Sequence, residues 1–148
     1  MTRFREATRE DVPAIVALLA DDVLGQAREL SDLGAYLAAF DVMQNEAGNT
    51  VIVGEDAAGT LVATYQLTFI SGLSLAAARR AQVESVRVAS HLRGQGIGEA
   101  MFADAETRAR AAGCSLMQLT MNATRTDSHR FYELLGFKPT HTGFKRAL

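Results

Sequence analysis

The chain has 148 residues, 48% of them apolar, with 15 Lys and Arg against 17 Asp and Glu and a net charge of −2. That length fits one domain with a real core. The slight acidity weighs against a general nucleic-acid or anionic-membrane binder, which needs clustered positive charge, and Cys114, the one cysteine, excludes an intramolecular disulfide. The N-terminus, "MTRFREATRED", is charged and lacks an apolar leader. No run approaches the ~18 apolar residues of a membrane span. A soluble protein of a reducing compartment, the cytoplasm, is the expectation.

"TRFREA" reads as a first strand and "TREDVPAIVALLADD" as a helix. Pro13 must lie in its first turn, where no hydrogen bond is lost, so Asp11 is the expected cap and Thr8 the alternative. "SDLGAYLAAFDVMQNEAG" reads as a second helix, capped by Ser31 and stopped by Gly48. "NTVIVGEDAAGTLVATYQLTFI" places two β-rich runs around the turn signal "EDAAG", a hairpin. "SGLSLAAARR" reads as a mobile loop. In the next strand, "AQVESVRVA", the two-residue period puts Gln82, Glu84, Val86 and Val88 on one face.

A third helix follows, with Ile97, Ala100, Met101, Ala105, Ala109 and Ala112 as its apolar stripe. Asp104–Arg108 and Glu106–Arg110 are i,i+4 pairs on its wet side, and Gly113 ends it. "CSLMQLTMN" is a strand. "TDSHRFYELLG" is a fourth helix, capped by Thr126 or Asp127 and stopped by Gly136, and "FKPTHTGFKRAL" closes with one or two short strands. The whole is an α/β mixed sheet in a single domain, with helices on both faces.

The stretch "RGQGIG", Arg93–Gly98, lies between the "ESVRVASHL" strand and the third helix. The first N–H groups of a helix lack intrahelical partners, and the helix dipole adds positive character there. Glycines let a phosphate approach those groups, and Arg93 adds a full charge. A dinucleotide fingerprint is excluded, because Glu99 stands where G-x-G-x-x-G needs its last glycine, and a Walker A loop needs a Gly-Lys pair that the chain lacks. A plain tight turn packing helix on sheet is the competing reading.

"VRVASHLRGQGIGEAMF" resembles the acetyl-coenzyme A signature of the GNAT superfamily of N-acetyltransferases: Arg or Gln, two residues, Gly, one residue, Gly or Ala, here Arg93, Gly96 and Gly98. "SHRFYELLGFKPT" resembles the same family's later motif. The resemblance implies a six- or seven-stranded, mostly antiparallel sheet with a bulged, splayed central strand pair, and acetyl-CoA as co-substrate. The pyrophosphate would sit on the N–H groups of Arg93, Gly94, Gln95, Gly96, Ile97 and Gly98. The pantetheine arm would run along Val86, Arg87 and Val88, with an N–H near Val86 or Arg87 polarising the acetyl carbonyl. Tyr132 matches the tyrosine that protonates the departing thiolate, with a packing role as its alternative. Glu84 is the candidate general base, or an edge carboxylate that attracts a cationic substrate. Where members often carry an Asn that contacts the pantetheine arm, this chain has Arg125, with Asn122 three residues earlier; either could hold the cofactor.

His129, three residues before Tyr132, could line the slot or lie on the surface. His91, His129 and His141 are scattered without metal spacing, so no metal is expected. Cys114 has no activating neighbour in sequence. Arg79 and Arg80 could grip the adenosine 3′-phosphate or a partner, or stand solvated. The expected function is direct acetyl transfer to a primary amine of a small molecule, with no nucleic acid or membrane as partner. Asp21, Asp22, Glu29 and Asp32 surround the first loop and point to a cationic acceptor. The alternatives are an acyl-CoA sensor without turnover and an acetyltransferase of a protein or peptide amine. The family often dimerises, so a homodimer is allowed.

Overall fold

The computed structural model describes residues 1–22, 25, 29 and 32–148. A five-stranded sheet forms its centre, in the order β1 (Arg3–Glu6), β2 (Asn49–Glu55), β3 (Leu61–Ile70), β4 (Arg80–Val88), β5 (Leu116–Leu119). Neighbours are antiparallel except β4 and β5, which run parallel. Among the described residues, four helices of eight or more residues accompany it: α1 (Val12–Leu19), α2 (Leu33–Met43), α3 (Ile97–Ala111) and α4 (Thr126–Leu134).

Side-chain alternation divides the sheet between two helical layers. Ala63, Tyr65 and Leu67 of β3, with Ile52, Ala81 and Val83 beside them, form one core with Met101, Phe102, Ala105 and Ala109 of α3. Val53 and the paired Thr64 turn the other way and are buried on the face where α1 contributes Val12, Ile15 and Leu18. The α3 stripe holds at Met101, Ala105 and Ala109, with Ile97 packed against it, but Ala100 is exposed and Phe102 is buried in its place. The i,i+4 pairs form, Arg108 Nε to Asp104 at 2.8 Å and Arg110 to Glu106 at 2.7 Å. Asp104 also accepts from the buried Tyr65 hydroxyl at 2.6 Å, tying α3 to β3.

The caps follow the sequence only in part. Asp11 stands before α1, but its carboxylate accepts from Thr8 N–H and from Arg5 rather than from the helix. Ser31, the expected cap of the second helix, lies outside the described residues; Asp32 accepts from Gly34 N–H at 2.9 Å there. Gly48, expected to stop that helix, instead turns the chain into β2 with φ +74°, after α2 has ended at Met43. The hairpin turn closes as expected, with Asp56 N–H on Thr60 O and Gly59 at φ +83°. Within 71–80, the loop makes a left-handed turn at Leu75, Ala76 and Ala77. Arg79 lies over the Phe69 ring and donates to Ala112 O and Ser71 Oγ, so its guanidinium is engaged within the fold.

The expected six or seven strands are five among the described residues. Residues 137–148 pair with no strand, and β5 ends the sheet. No described helix is long and apolar enough to cross a membrane.

Candidate active site

The slot begins where β4 and β5 part. Their pairing runs from Arg80–Leu116 to Val83–Leu119 and stops, while β4 continues to Val88. Glu84 through Val88 therefore present one unpaired edge, the splay expected from the resemblance. A bulge lies in the same stretch. Thr64 pairs with Arg87 and Gln66 with Glu84, so Ser85 and Val86 together oppose Tyr65. Ser85 takes φ +54°, a left-handed conformation that costs a non-glycine residue of order 1–3 kcal/mol. Such bulges redirect backbone and side chains beside functional sites.

The bulge corrects the expected face pattern. Gln82, Glu84 and Arg87 pair with Thr68, Gln66 and Thr64 and share the face of α1. Val88 pairs with Ala63 on the opposite face, and both Val86 and Val88 pack against the α3 core. One extra residue has shifted the two-residue period by one step. Glu84 is exposed and makes no hydrogen bond or ion pair among the described residues.

The glycine loop leads from β4 into α3. Gly94 and Gly96 have φ of +78° and +83°, where an L side chain is strained, and Gly96 is the residue before the first turn of α3. Among the described residues, no N–H from Gly94 through Glu99 donates to a protein acceptor; the first helical bond is Ala100 N–H to Gly96 O at 3.1 Å. This is a run of aligned donors at a helix N-terminus, with Gln95 and Ile97 inside it. Arg93 is exposed beside it, reaching Asp21 O at 3.4 Å. Asp21 steadies the approach: its carboxylate accepts from Ser90 N–H at 2.8 Å and Ser90 Oγ at 3.1 Å, and these bonds hold its pKa below the ordinary carboxylate value.

On the α3 face, Tyr132 sits in an aromatic cluster with Phe102, Phe131 and Phe137, ring centroids 5.5–6.2 Å apart. Its hydroxyl makes no hydrogen bond among the described residues. Burial raises its pKa, against the opposing pull of the positive charges on Arg125 and Arg87. So Tyr132 both packs and offers a free, protonated donor. Gly98 admits this packing, since a Cβ there would meet Phe131 Cζ at 3.0 Å.

Asn122 and Arg125 now differ. Asn122 Oδ1 accepts from Thr124 N–H at 3.0 Å and Thr124 Oγ1 at 2.6 Å, closing the turn into α4. Arg125, half-buried at the head of α4, has no hydrogen-bond partner for its guanidinium among the described residues. Arg87, by contrast, pairs with Asp22 at 3.3 Å, with side chains only 10% and 12% exposed, and donates to Val86 O at 2.9 Å.

The four acidic residues named for a cationic acceptor are engaged within the fold. Asp21 holds Ser90, Asp22 pairs with Arg87, Glu29 accepts from Tyr36 and Asp32 caps α2. Of the four, only Asp22 meets a cation; Asp21, Glu29 and Asp32 accept from neutral donors and keep their charge. His129 pairs with Glu133 at 2.9 Å on the exposed side of α4. No metal-ligand cluster exists among the described residues. The sequence missed Arg87 as a partner of Asp22; the bulge that turns it toward α1 is not visible in the residue types.

Comparison with known proteins agrees with this geometry. A model of the acetyltransferase (GNAT) family matches residues 12–137. An aminoalkylphosphonate N-acetyltransferase of Salmonella typhimurium is 42% identical over 67 residues, which span 45% of this chain and 44% of that protein, less than half the length of either. A solved structure described as a transcriptional regulator from Bacillus halodurans C-125 is 40% identical over 100% of both chains, with a TM-score of 0.94. Another, from Agrobacterium tumefaciens strain C58 and assigned by inference as an acetyltransferase, is 29% identical over 99% of each chain, with a TM-score of 0.86. With its splayed β4, its glycine-headed α3 and a family match across most of its length, the chain belongs to the acetyltransferase (GNAT) family.

Proposed function

We propose that the protein is an acetyl-CoA-dependent N-acetyltransferase that passes the acetyl group directly to a primary amine of a small molecule. The observation that carries this reading is the run of unengaged N–H groups from Gly94 through Glu99, opening beside the unpaired edge of β4. Those donors suit the diphosphate of coenzyme A, with Arg93 adding charge. The β4 edge from Glu84 to Val88 suits the amides of the pantetheine arm, which would have to displace the Arg87 guanidinium from Val86 O or use another carbonyl.

The chemistry then follows from the two faces. The acceptor amine enters on the face of Glu84, which takes the ammonium proton directly or through water. The amine nitrogen attacks the thioester carbonyl, whose oxygen is held by a backbone N–H of the bulge at Val86 or Arg87. The C–S bond breaks, and Tyr132 protonates the departing thiolate. Arg125, unengaged near Tyr132, is the better candidate than Asn122 for an anionic group. This arginine, without a hydrogen-bond partner among the described residues, favours an acceptor that carries its own acidic group, such as an aminoalkylphosphonate. The Salmonella relative's name points the same way.

Thiol release from acetyl-CoA should be followed over a panel of neutral, cationic and acid-bearing primary amines. Turnover with at least one, and the highest kcat/KM among the acid-bearing members, is expected. Tight acetyl-CoA binding with no turnover on any of them would favour the sensor reading.

A further inference from the structure

The face of the sheet that α1 covers changes character along its length. Val53 and Thr64 are buried beneath the helix. Beyond them, around Val51, the same face carries Asn49 of β2, Gln66 and Thr68 of β3, Gln82 and Glu84 of β4 and Gln118 of β5. All of these polar residues except Glu84 are half-buried.

They bond in two sets. Gln66 Nε2 and Thr68 Oγ1 donate to Asn49 Oδ1 at 2.8 and 3.3 Å, and Gln118 Nε2 donates to Gln82 Oε1 at 2.7 Å. Each carboxamide has a carbonyl and an NH₂ to satisfy. The two sets therefore leave Gln66 Oε1 as an acceptor and Gln82 Nε2 as a donor, neither with a partner among the described residues. Glu84 lies between them. It stands directly across from Gln66 in the pairing of β3 with β4, and two residues along its own strand from Gln82. Directly opposed side chains on a sheet have Cβ atoms about 5 Å apart. A carboxylate, an unmet acceptor and an unmet donor thus converge where the slot opens.

The inference rests on the acetyl-transfer reading, in which Glu84 takes the proton of the acceptor's ammonium. One further group on the acceptor answers both amides. A hydroxyl donates its hydrogen to Gln66 Oε1 and accepts from Gln82 Nε2. An ether has no hydrogen for Gln66, and a second ammonium has no lone pair for Gln82. A carboxylate would set lone pairs against Gln66 Oε1 and a like charge beside Glu84. We propose that the acceptor is an amino alcohol, its hydroxyl about 5 Å from the nitrogen, and that Gln66 and Gln82 are the residues that select it. An acid group directed to Arg125, beside Tyr132, is a separate contact.

Thiol release should be measured with two pairs of amines, each differing in one hydroxyl: 3-amino-1-propanol against butylamine, and 4-amino-2-hydroxybutanoate against 4-aminobutanoate. The hydroxylated member should have the higher kcat/KM by roughly tenfold or more in at least one pair, because its analogue leaves both amides unpaired. Gln66→Leu and Gln82→Met should each bring that ratio close to one, by raising KM for the hydroxylated member alone. Acetyl-CoA affinity, which depends on the glycine loop, should be unchanged in both variants and reports that the fold is intact. Equal kcat/KM within both pairs, or a preference that survives both substitutions, would overturn the inference and leave acetyl transfer standing. No turnover on any primary amine would overturn the acetyl-transfer reading itself, and the inference with it.

Discussion

Gly98 and Phe131 leave no room for a side chain between them: a Cβ at Gly98 would lie 3.0 Å from Phe131 Cζ. Through this contact the head of α3, with its phosphate-suited N–H groups, is fixed against α4, which carries Tyr132. Gly98→Ala gains helix propensity but pushes the Phe131 ring aside by a few tenths of an ångström within the aromatic cluster, and overpacking typically costs 1–3 kcal/mol. A net loss of about 1 kcal/mol in chemical denaturation, larger for Gly98→Val, is expected. Unchanged stability with both would show that the contact is loose.

Gly94 and Gly96 make a different prediction. A Cβ at Gly94 meets nothing within 4 Å, and one at Gly96 only the end of Glu99, so the strain lies in their positive φ. Alanine at either should cost about 1 kcal/mol of stability. By blocking approach to the donors, it should also weaken acetyl-CoA binding by roughly tenfold or more, equivalent to about 1.4 kcal/mol. Calorimetric titration measures the second effect separately from the first.

Tyr132→Phe removes a hydroxyl with no hydrogen-bond partner among the described residues, so stability should change by less than about 0.5 kcal/mol. Turnover should fall by about 10²-fold or more if the phenol is the acid. Burial raises the tyrosine's pKa above its ordinary value of 10.0. The phenol is therefore protonated throughout the neutral range, and any loss of kcat from its ionisation belongs to strongly basic solution. A wild-type basic limb near pH 8 would have to come from another group.

Asp21 links pH to the loop. Its folded-state pKa lies below the ordinary 3.8 because Ser90 donates to its carboxylate. A carboxylate with a depressed pKa stabilises the fold fully above its unfolded value, and that contribution disappears as pH falls through the folded value. Acetyl-CoA affinity should therefore hold from pH 7 to about 5 with respect to this contact and decline only below about pH 4. Asp21→Ala should weaken affinity at every pH by freeing Ser90.

Asp22 separates a structural role from substrate recognition. Its partner Arg87 is nearly as buried, and breaking such a pair typically costs about 3 kcal/mol. Asp22→Asn should lower Tm while leaving the preference among cationic, neutral and acid-bearing amines unchanged. A selective loss of cationic amines would restore the reading that this carboxylate binds substrate.

The sequence revealed the elements that rest on local chemistry. Pro13 in the first turn of α1, the Asp56–Gly59 hairpin and the glycine approach to α3 each follow from backbone constraints that their residues impose. The face assignment along β4 failed, because a bulge is a tertiary event. Ser85 in a left-handed conformation has no residue-type signature, and it moves Val88 to the opposite face from Glu84. The acidic first loop was legible only as a count: which carboxylates are held by Ser90, Arg87 or a helix N-terminus is a tertiary matter. Strand-like composition in residues 137–148 was also not enough: among the described residues the segment forms no strand, although the β5 edge is open.

The most direct measurement is a ¹⁵N–¹H titration of the protein with coenzyme A, read at the backbone amides of the α3 head. The account predicts that the largest saturable shifts fall on Gly94 through Glu99, and that they follow the diphosphate, being lost with pantetheine alone. Saturation with coenzyme A that leaves those amides in place while others move would contradict it.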